Sequence, residues 1–548
     1  MVHCGFLPRT GIGNKDYSLI TYNRMVKGLK YIILGCNILI FTALSFILPI
    51  CYEGNDDIVM AMIANGGYSG SPDGHLVFIN VLYGAVLAAL YSWTKAIEWY
   101  TLSFAVLHIL SMSVLVYSIL TIPNRAKWER ILWLLFLYTL WAMIIAALQF
   151  TTTAGLTCLA GCVLLLRRSP KARWLGVLLV VIASLIRITA AGLVGILMAP
   201  IILYTYRLEW RKYIPLAVML LLVLGCRVAN NAVYNSDPEW KYYNEYNPLR
   251  GQLTDNPNAY TLQPEDMPEG IEYQDYRLLL GFMPDPEKMD LSALKKLNAI
   301  VSTVSLSAKL KNIHHLERYA VELILLFALL VLMILTTGNR SKYIFLILYT
   351  GFFLALMVYV SLDGFVKTHV FLCMLLPMLM TEFMLLPDTT GKKRKWGIVI
   401  VMLALCGWYG YQTNCEQIPK RHLRHIFEDM QRPLLSEVPS NTTMVSFGVS
   451  VPMEAVNPWH IWPYDFRKYT LGWLTWVPLN TPIGQSYRFF LRDDVVIFTH
   501  NSYKRDDSLL NLIRERIAHH YGIQTTVEEF CGNNQYAIVK IKEQKTEN

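Results

Sequence analysis

The stretch YIILGCNILIFTALSFILPIC, from Tyr31 to Cys51, contains 21 residues and no charge. An α-helix needs about 20 apolar residues to cross a hydrocarbon core of about 30 Å. Three basic residues precede the stretch, and no small-residue cleavage site follows it. The positive-inside rule therefore predicts a retained signal-anchor helix with the N-terminus in the cytoplasm.

The rest of the chain shares this apolar character. Of 548 residues, 54% are hydrophobic and 16% are charged. The further apolar runs are Leu76 to Tyr91, Tyr100 to Ile122, Ile131 to Phe150, Thr151 to Leu166, Trp174 to Ile188, Thr189 to Tyr206, Ile214 to Cys226, Tyr319 to Thr336, Tyr343 to Val360, Val370 to Leu386 and Trp396 to Tyr411. Basic residues cluster in the short loops between them, as expected on the cytoplasmic side. This placement explains the net charge of +9 without nucleic acid as a partner.

The number of crossings follows from the two ends of the chain. The basic loops place the N-terminus inside and the region after Tyr411 outside, which requires an odd number of crossings. Twelve runs are present, so one does not cross. The run Leu76 to Tyr91 has only 16 residues and is the best candidate. A wrong division of Ile131 to Leu166 is the alternative. We therefore expect an α-helical polytopic membrane protein with about eleven transmembrane helices.

The sequence predicts four parts. They are an N-terminal transmembrane module at 1–227 with its first external loop at 52–75, a large external loop at 228–318, C-terminal transmembrane helices at 319–411 and an extracytoplasmic α/β domain at 412–548. In the last part, β-like runs occur at Thr443 to Phe447, Val495 to Thr499 and Tyr536 to Ile541, with an amphipathic helix at Ser508 to His519. Cys415 and Cys531 both fall in this exported part, where a disulfide between them is allowed.

Two adjacent acids, Asp56 and Asp57, follow the signal anchor on the outer side. A carboxylate partly desolvated by lipid and neighbouring helices has a raised pKa, which suits a general base. The alternative is structural, because Asp is a favoured N-cap and a helix is expected from Ile58.

The order of these features resembles the GT-C class of membrane glycosyltransferases. A signal anchor, an acidic pair, a turn rich in Gly and Pro, a short apolar helix and the element Glu98-Trp99-Tyr100 follow one another. The resemblance implies a polyprenyl-phosphate-linked sugar as donor, a glycan or lipid as acceptor and a bacterial cytoplasmic membrane. It also implies that Asp56 or Asp57 deprotonates the acceptor hydroxyl. The pair is Asp-Asp where some GT-C families have Asp-Glu, and no WWD-type motif is present, which disfavours transfer to asparagine.

Six further residues are candidates for substrate binding. Arg187 lies deep in an apolar stretch at the expected tip of an outer hairpin, where it would hold a lipid phosphate or else extend to the headgroups. Lys367 and His369 lie in a short outer turn, and His75 stands where several GT-C families have a basic residue. In the large loop, Arg250 and Asp275 are candidate substrate contacts or members of ordinary salt bridges.

Other readings of the same residues stay open. Trp459, His460, Trp462, Trp473 and Trp476 form an aromatic patch that would stack on sugar rings or fill the domain core. Two acids can hold Mg²⁺ or Mn²⁺ but are few as ligands. The alternative functions are a lipid-linked glycan flippase or polymerase, and a solute transporter. The polar candidates cluster on the outer side, which favours a reaction there.

Overall fold

The computed structural model describes most of the chain. The described residues are 15–123, 125–285, 288–301, 310, 312–336, 340–362, 366–385, 392–446, 456–461, 466–470, 473–474, 477–480, 486–505 and 508–544.

Helices dominate the described residues. In chain order they are α1 (Lys15–Ile47), α2 (Asn55–Asn65), α3 (Val81–Trp93), α4 (Trp99–Thr121), α5 (Lys127–Ala146), α6 (Phe150–Leu165), α7 (Pro170–Ile186), α8 (Ile188–Tyr206), α9 (Ile214–Ser236), α10 (Pro238–Thr254), α11 (Tyr273–Leu280), α12 (Leu291–Val301), α13 (Ala320–Thr336), α14 (Arg340–Leu362), α15 (Thr368–Leu385), α16 (Lys392–Ile426), α17 (Arg432–Ser436) and α18 (Leu509–Tyr521). The strands are β1 (Cys51–Tyr52), β2 (Ala147–Leu148), β3 (Thr443–Ser446), β4 (Arg467–Thr470), β5 (Val495–His500), β6 (Thr525–Gly532) and β7 (Tyr536–Glu543).

Nine helices of the described chain are long and apolar enough to cross a membrane. The chain is therefore a helical multi-pass membrane protein, as the sequence predicts. Helix α3, at the run that we expect not to cross, has 13 residues. Helices α6 and α7 have 16 and 17 residues, and with them the eleven predicted crossings would be complete. The orientation in the membrane stays a prediction.

The run Ile131 to Leu166 divides into two helices, as predicted. Helix α5 ends at Ala146 and α6 begins at Phe150. The residues between them form β2, which pairs in parallel with β1 directly after the signal anchor. The side chain of Gln149 caps α6 by accepting hydrogen bonds from the backbone N–H groups of Thr151 and Thr152. This short ladder ties the first external loop to the α5–α6 junction.

The predicted external loop is folded and has a small core of its own. Helices α10, α11 and α12 bury a cluster that includes Tyr246, Leu253, Tyr276 and Leu294. Residues 302–309, which belong to the helix expected from Leu291 to Leu310, lie outside the described part. This loop therefore acts as a packed unit and not as a linker.

The C-terminal region is a small α/β domain, as predicted. Its five-stranded sheet has the order β4-β3-β5-β7-β6, in which β3 is parallel to β4 and β5, and β7 is antiparallel to β5 and β6. Strands β3, β5 and β7 begin where the three predicted runs begin, and β5 and β7 end one and two residues later than predicted. Phe447, the last residue of the first run, lies outside the described residues. Helix α16 continues past Tyr411 to Ile426 and connects this domain to the membrane part.

The disulfide allowed by the sequence does not form. Cys415 and Cys531 are free cysteines. Cys415 lies on α16, whereas Cys531 lies on the strand β6 at the far edge of the sheet. The two sulfurs belong to separate elements, so their presence in the same predicted part of the chain was not sufficient to pair them.

A buried arginine joins the external loop to the C-terminal domain. Arg516 on α18 is 1% exposed, donates through Nε to Asp285 Oδ2 at 2.7 Å and lies 3.3 Å from Asp275 Oδ1. Replacing one partner of a buried ion pair costs about 3–5 kcal/mol, because the other charges remain buried. We expect Arg516→Leu to lower the midpoint of thermal unfolding, followed by tryptophan fluorescence in detergent micelles.

The exposed Arg505 of the same domain provides the control for this prediction. Arg505→Leu should change the free energy of unfolding by no more than about 0.5 kcal/mol, as is usual for surface substitutions. Equal midpoints for the two variants would show that the Arg516 cluster does not stabilise the contact.

Candidate active site

The two adjacent acids, Asp56 and Asp57, differ in burial and in hydrogen-bond partners. Asp57 is 1% exposed, and its Oδ1 accepts hydrogen bonds from the Tyr100 hydroxyl at 2.8 Å and from the Phe150 N–H at 3.1 Å. The Phe150 N–H is at the start of α6, where an anion is favoured by the helix dipole. Burial raises the pKa of Asp57 well above its usual range, and these two hydrogen bonds oppose the rise. Asp57 thus joins α2 to α4 and α6.

Asp56 is the more accessible acid. Its Oδ1 accepts a hydrogen bond of 2.8 Å from the indole N–H of Trp473. Its Oδ2 has no hydrogen-bond partner among the described residues, and this oxygen is therefore free to accept a proton. Trp473 lies three residues beyond the carboxyl end of β4, so the C-terminal domain contributes directly to the environment of the acid.

The alternative role of these acids, as N-caps of a helix that starts at Ile58, is wrong. Helix α2 begins at Asn55, three residues earlier than expected, and its N-cap is Gly54, which offers no side-chain oxygen. Asp56 and Asp57 therefore stand in the first turn, where their charge still suits the positive end of the helix dipole. Their hydrogen bonds go to other parts of the chain, so capping does not explain the pair.

Arg187 lies at the junction of α7 and α8, beside the acids. Its guanidinium carbon lies 5.5 Å from the centre of the Phe78 ring and 5.2 Å from that of Phe150. Within the described part of the chain, the guanidinium makes no hydrogen bond or ion pair. Two aromatic rings hold the side chain by cation–π contacts while its five donors remain available. This arrangement can bind a phosphate.

Lys367 and His369 approach the same acid from the start of α15. Both are close enough for their charge to lower the pKa of Asp56. Lys367 is exposed, whereas His369 Nδ1 lies 3.0 Å from Glu53 Oε1 in the first external loop. The rest of the predicted turn, at 363–365, lies outside the described residues. The structure thus gathers Asp56, Arg187, Lys367 and His369.

His75 has a different environment. Its Nδ1 lies 2.7 Å from Asp73 Oδ1, and its ring stacks on Trp240 at 4.8 Å. No hydrogen bond, ion pair or ring contact joins His75 to Asp56 in the described part of the chain. These contacts attach the first external loop to the large loop.

Arg250 makes its contacts within the large loop, whereas Asp275 contacts the C-terminal domain. Arg250 is buried, donates to Asn247 and Thr254, and stacks on Phe282. Asp275 is fully buried beside Arg516. The structure therefore brings neither residue to the Asp56 cluster, and both have contacts of the kind expected for ordinary loop interactions.

The structure contains no cluster of three or more His, Cys, Asp or Glu side chains that could hold a metal ion, among the residues that it describes. In the aromatic patch of the sequence, Trp462 and Trp476 lie outside the described residues. Among the members that the structure describes, Trp473 contacts Asp56.

Sequence reasoning missed three contributors to the site. Phe78 and Phe150 hold Arg187, and Phe78 also packs against Trp473 with ring centres 4.6 Å apart. Glu53 contacts His369. Glu53 had a visible signal, since it precedes the acid pair by three residues, but nothing in the sequence joins the two phenylalanines to the arginine.

Burial raises the pKa of Asp56 above its usual range. The hydrogen bond from Trp473 and the charges of Lys367, Arg187 and His369 favour the carboxylate and limit the rise. If Asp56 is the general base, activity is lost as the pH falls through this raised pKa, because the protonated acid cannot accept a proton.

The variant Trp473→Phe should therefore shift the pH dependence of activity. It keeps an aromatic ring but removes the N–H donor, so the pKa of Asp56 rises further and the acidic limb of kcat/KM moves to higher pH. The profile is measured with purified protein in nanodiscs. An unchanged limb together with a uniformly lower rate would assign Trp473 a packing role only.

The comparisons with known proteins are sparse. No family model matches the chain, and no curated protein sequence matches it. Two solved structures do match, and both are of a GT-C glycosyltransferase, the class that the sequence resembles. They are crystal structures of ArnT from Cupriavidus metallidurans, one in the apo state and one bound to undecaprenyl phosphate.

The likeness to these two structures is distant. The apo structure is 11% identical with a TM-score of 0.40, and the match covers 94% of this chain and 98% of the ArnT chain. The bound structure is 11% identical with a TM-score of 0.39, with 93% and 98% covered. The activity and the site residues proposed below are therefore argued from the contacts within this chain.

Proposed function

We propose that the chain is a membrane glycosyltransferase that moves a sugar from a polyprenyl-phosphate-linked donor to a glycan or lipid acceptor. The reaction takes place on the outer face of a bacterial cytoplasmic membrane. The observation that carries this proposal is the proximity of a half-buried carboxylate, Asp56, to Arg187, whose guanidinium makes no ion pair or hydrogen bond among the described residues.

Asp56 and Arg187 have different roles in the proposed reaction. Oδ2 of Asp56 accepts the proton of the acceptor hydroxyl as that oxygen attacks the anomeric carbon of the donor sugar. The bond between this carbon and the phosphate oxygen breaks, and the electron pair leaves with the lipid phosphate. Attack opposite the leaving group inverts the anomeric configuration. Arg187 binds the phosphate, whose negative charge increases in the transition state.

A lipid-linked donor fits the position of the cationic residues. Arg187 joins two apolar helices, α7 and α8, at their shared end, and Lys367 immediately precedes α15, a candidate membrane span. Cations at the ends of membrane helices lie at the depth of lipid headgroups. A phosphate attached to a prenyl chain would be held at that depth.

The pair Glu53–His369 supports the same division of roles. It connects the loop that carries Asp56 to the helix end that carries Lys367, at 3.0 Å between Oε1 and Nδ1. The contact would hold the proton acceptor and the phosphate-binding cations in a constant relation, and such positioning provides much of the rate enhancement in group transfer.

The test uses purified wild-type protein in proteoliposomes with a mixture of labelled polyprenyl-phosphate sugars. We expect time-dependent transfer of label to an extracted envelope acceptor, and release of polyprenyl phosphate. The product of a single pure donor should have the opposite anomeric configuration, which NMR spectroscopy identifies.

Two results would contradict the proposal. One is the absence of transfer from every donor by the wild type, together with unchanged surface glycans in cells that lack the protein. The other is movement of an intact lipid-linked glycan across the vesicle membrane without cleavage of the sugar–phosphate bond. The second result would assign a flippase.

A further inference from the structure

A cavity that Asp56 and Arg187 do not line lies between the first external loop and the C-terminal sheet. Its volume is about 660 Å³, which falls in the range of small-molecule sites. We call it the loop–sheet cavity; its walls include Asn65, Lys95, Glu98, Asn441, Thr443 and Arg467.

The loop–sheet cavity is formed where the amino ends of parallel strands meet a turn. Arg467 is the first residue of β4, and Asp494 immediately precedes β5. The backbone N–H of Lys468 donates to the Gly67 carbonyl at 3.4 Å, which attaches β4 to the turn after α2. Gly70, at φ +90°, lies in this turn close to Arg467. A Cβ at position 70 would lie 3.2 Å from Nε of Arg467, so glycine leaves space for the arginine side chain.

The anionic side chains of the cavity are already engaged. Glu98 accepts hydrogen bonds from the Tyr91 hydroxyl and from the Ile461 N–H. Asp494 accepts two hydrogen bonds from Arg492, at 2.9 and 2.8 Å, in a bidentate salt bridge.

The remaining cations of the cavity are not neutralised. Lys95 and Arg467 have no carboxylate partner among the described residues, and both are exposed. Three cations, Lys95, Arg467 and Arg492, and two anions, Glu98 and Asp494, line the cavity. The formal net charge of the lining is therefore +1, which favours an anionic ligand.

The neutral lining fits a ligand with many hydroxyl groups. Asn65, Asn441, Thr442 and Thr443 provide amides and hydroxyls that both donate and accept hydrogen bonds. Aromatic edges from Tyr469 and Phe489, with ring centres 6.2 Å apart, add an apolar wall. Amide, hydroxyl and aromatic groups together with arginine make up a surface suited to a charged carbohydrate.

We propose that the loop–sheet cavity binds an anionic oligosaccharide as the acceptor, an assignment that rests on the glycosyltransferase function proposed above. The cavity lies at the C-terminal end of α2 and Asp56 at its N-terminal end. Asn65 lies nine positions after Asp56 in α2, which corresponds to about 14 Å along the helix axis. The acceptor is therefore longer than a single sugar, with its charged part in the cavity and its reacting hydroxyl at Asp56.

Binding is tested with the full chain in nanodiscs by isothermal titration calorimetry. The probes are hyaluronan tetrasaccharide, which carries carboxylates, and chitotetraose, which is neutral. We expect the wild type to prefer hyaluronan tetrasaccharide. Arg467→Gln should weaken this binding about ten- to a hundredfold, since hydrogen bonds to charged groups are strong, and Lys95→Gln should weaken it less. Arg467→Lys should recover part of the loss.

Two controls separate this inference from the proposed reaction. Arg505→Gln removes an exposed arginine of the same domain outside the cavity and should bind as the wild type does. The second control is a titration of the wild type without donor, because binding there would support the assignment even if sugar transfer is absent in every assay. Equal affinity for chitotetraose, absence of binding by the wild type, or full affinity in both Arg467→Gln and Lys95→Gln would each overturn the assignment.

Discussion

The variant Asp56→Asn should lower the rate of sugar transfer by about a hundred- to ten-thousandfold, the usual contribution of a general base. The amide is close in size to the carboxylate and can still accept the hydrogen bond from Trp473 through its oxygen. It cannot take a proton from the acceptor hydroxyl. The rate is measured as transfer of label from the polyprenyl-phosphate donor in proteoliposomes, with matched amounts of folded protein.

Asp57→Asn is the matched control for this prediction. The asparagine oxygen can keep both hydrogen bonds that Asp57 Oδ1 accepts, from Tyr100 and Phe150, so we expect less than a tenfold loss of transfer. Asp57→Ala should instead destabilise the fold, because it leaves two buried donors without an acceptor, at about 1–3 kcal/mol each. If Asp57→Asn abolished transfer and Asp56→Asn did not, the roles assigned to the two acids would be exchanged.

The variant Arg187→Gln should lower kcat/KM for the donor by about a hundred- to a thousandfold, as expected for loss of a group that stabilises developing charge. Arg187→Lys keeps a positive charge but not the two parallel donors, so we expect an intermediate loss. Both constants are measured by varying the donor at saturating acceptor. Because the guanidinium packs on Phe78 and Phe150, the folding of each variant is checked by its unfolding temperature.

Arg211→Gln tests whether any loss of arginine from a helix end has this effect. Arg211 is exposed in the short basic segment between α8 and α9, at the opposite end of α8 from Arg187. The variant Arg211→Gln should leave kcat and the KM for the donor unchanged. A normal donor KM and kcat in Arg187→Gln would remove the phosphate-binding role from our proposal.

Much of the membrane fold is predictable from the sequence because long apolar runs have few alternatives in a bilayer. Helices α5 and α6 confirm the division of Ile131 to Leu166, whereas the expectation that Leu76 to Tyr91 does not cross the membrane stays a prediction. Strands β4 and β6 were not predicted. The four residues of β4 include Arg467 and Lys468, and such a short polar segment has no periodicity that a sequence pattern would reveal.

The candidate site was predictable only in part. The sequence drew attention to Asp56, Asp57 and Arg187, which the fold brings together, but it could not separate the roles of the two acids. That separation depends on Tyr100, Phe150 and Trp473, which lie far away in the chain. Arg250 and Asp275 illustrate the opposite case, because their polar groups contact other parts of the protein, Thr254 for Arg250 and Arg516 for Asp275, and not the Asp56 cluster.

The hydrogen bond between Trp473 and Asp56 joins positions 417 residues apart. During biosynthesis, the first loop leaves the ribosome long before the strand that precedes Trp473 is made. The acid would therefore stay without its orienting partner until translation is almost complete and the last domain has folded against the first. On this view, a chain released early would carry all the membrane helices and both acids, yet lack an assembled centre.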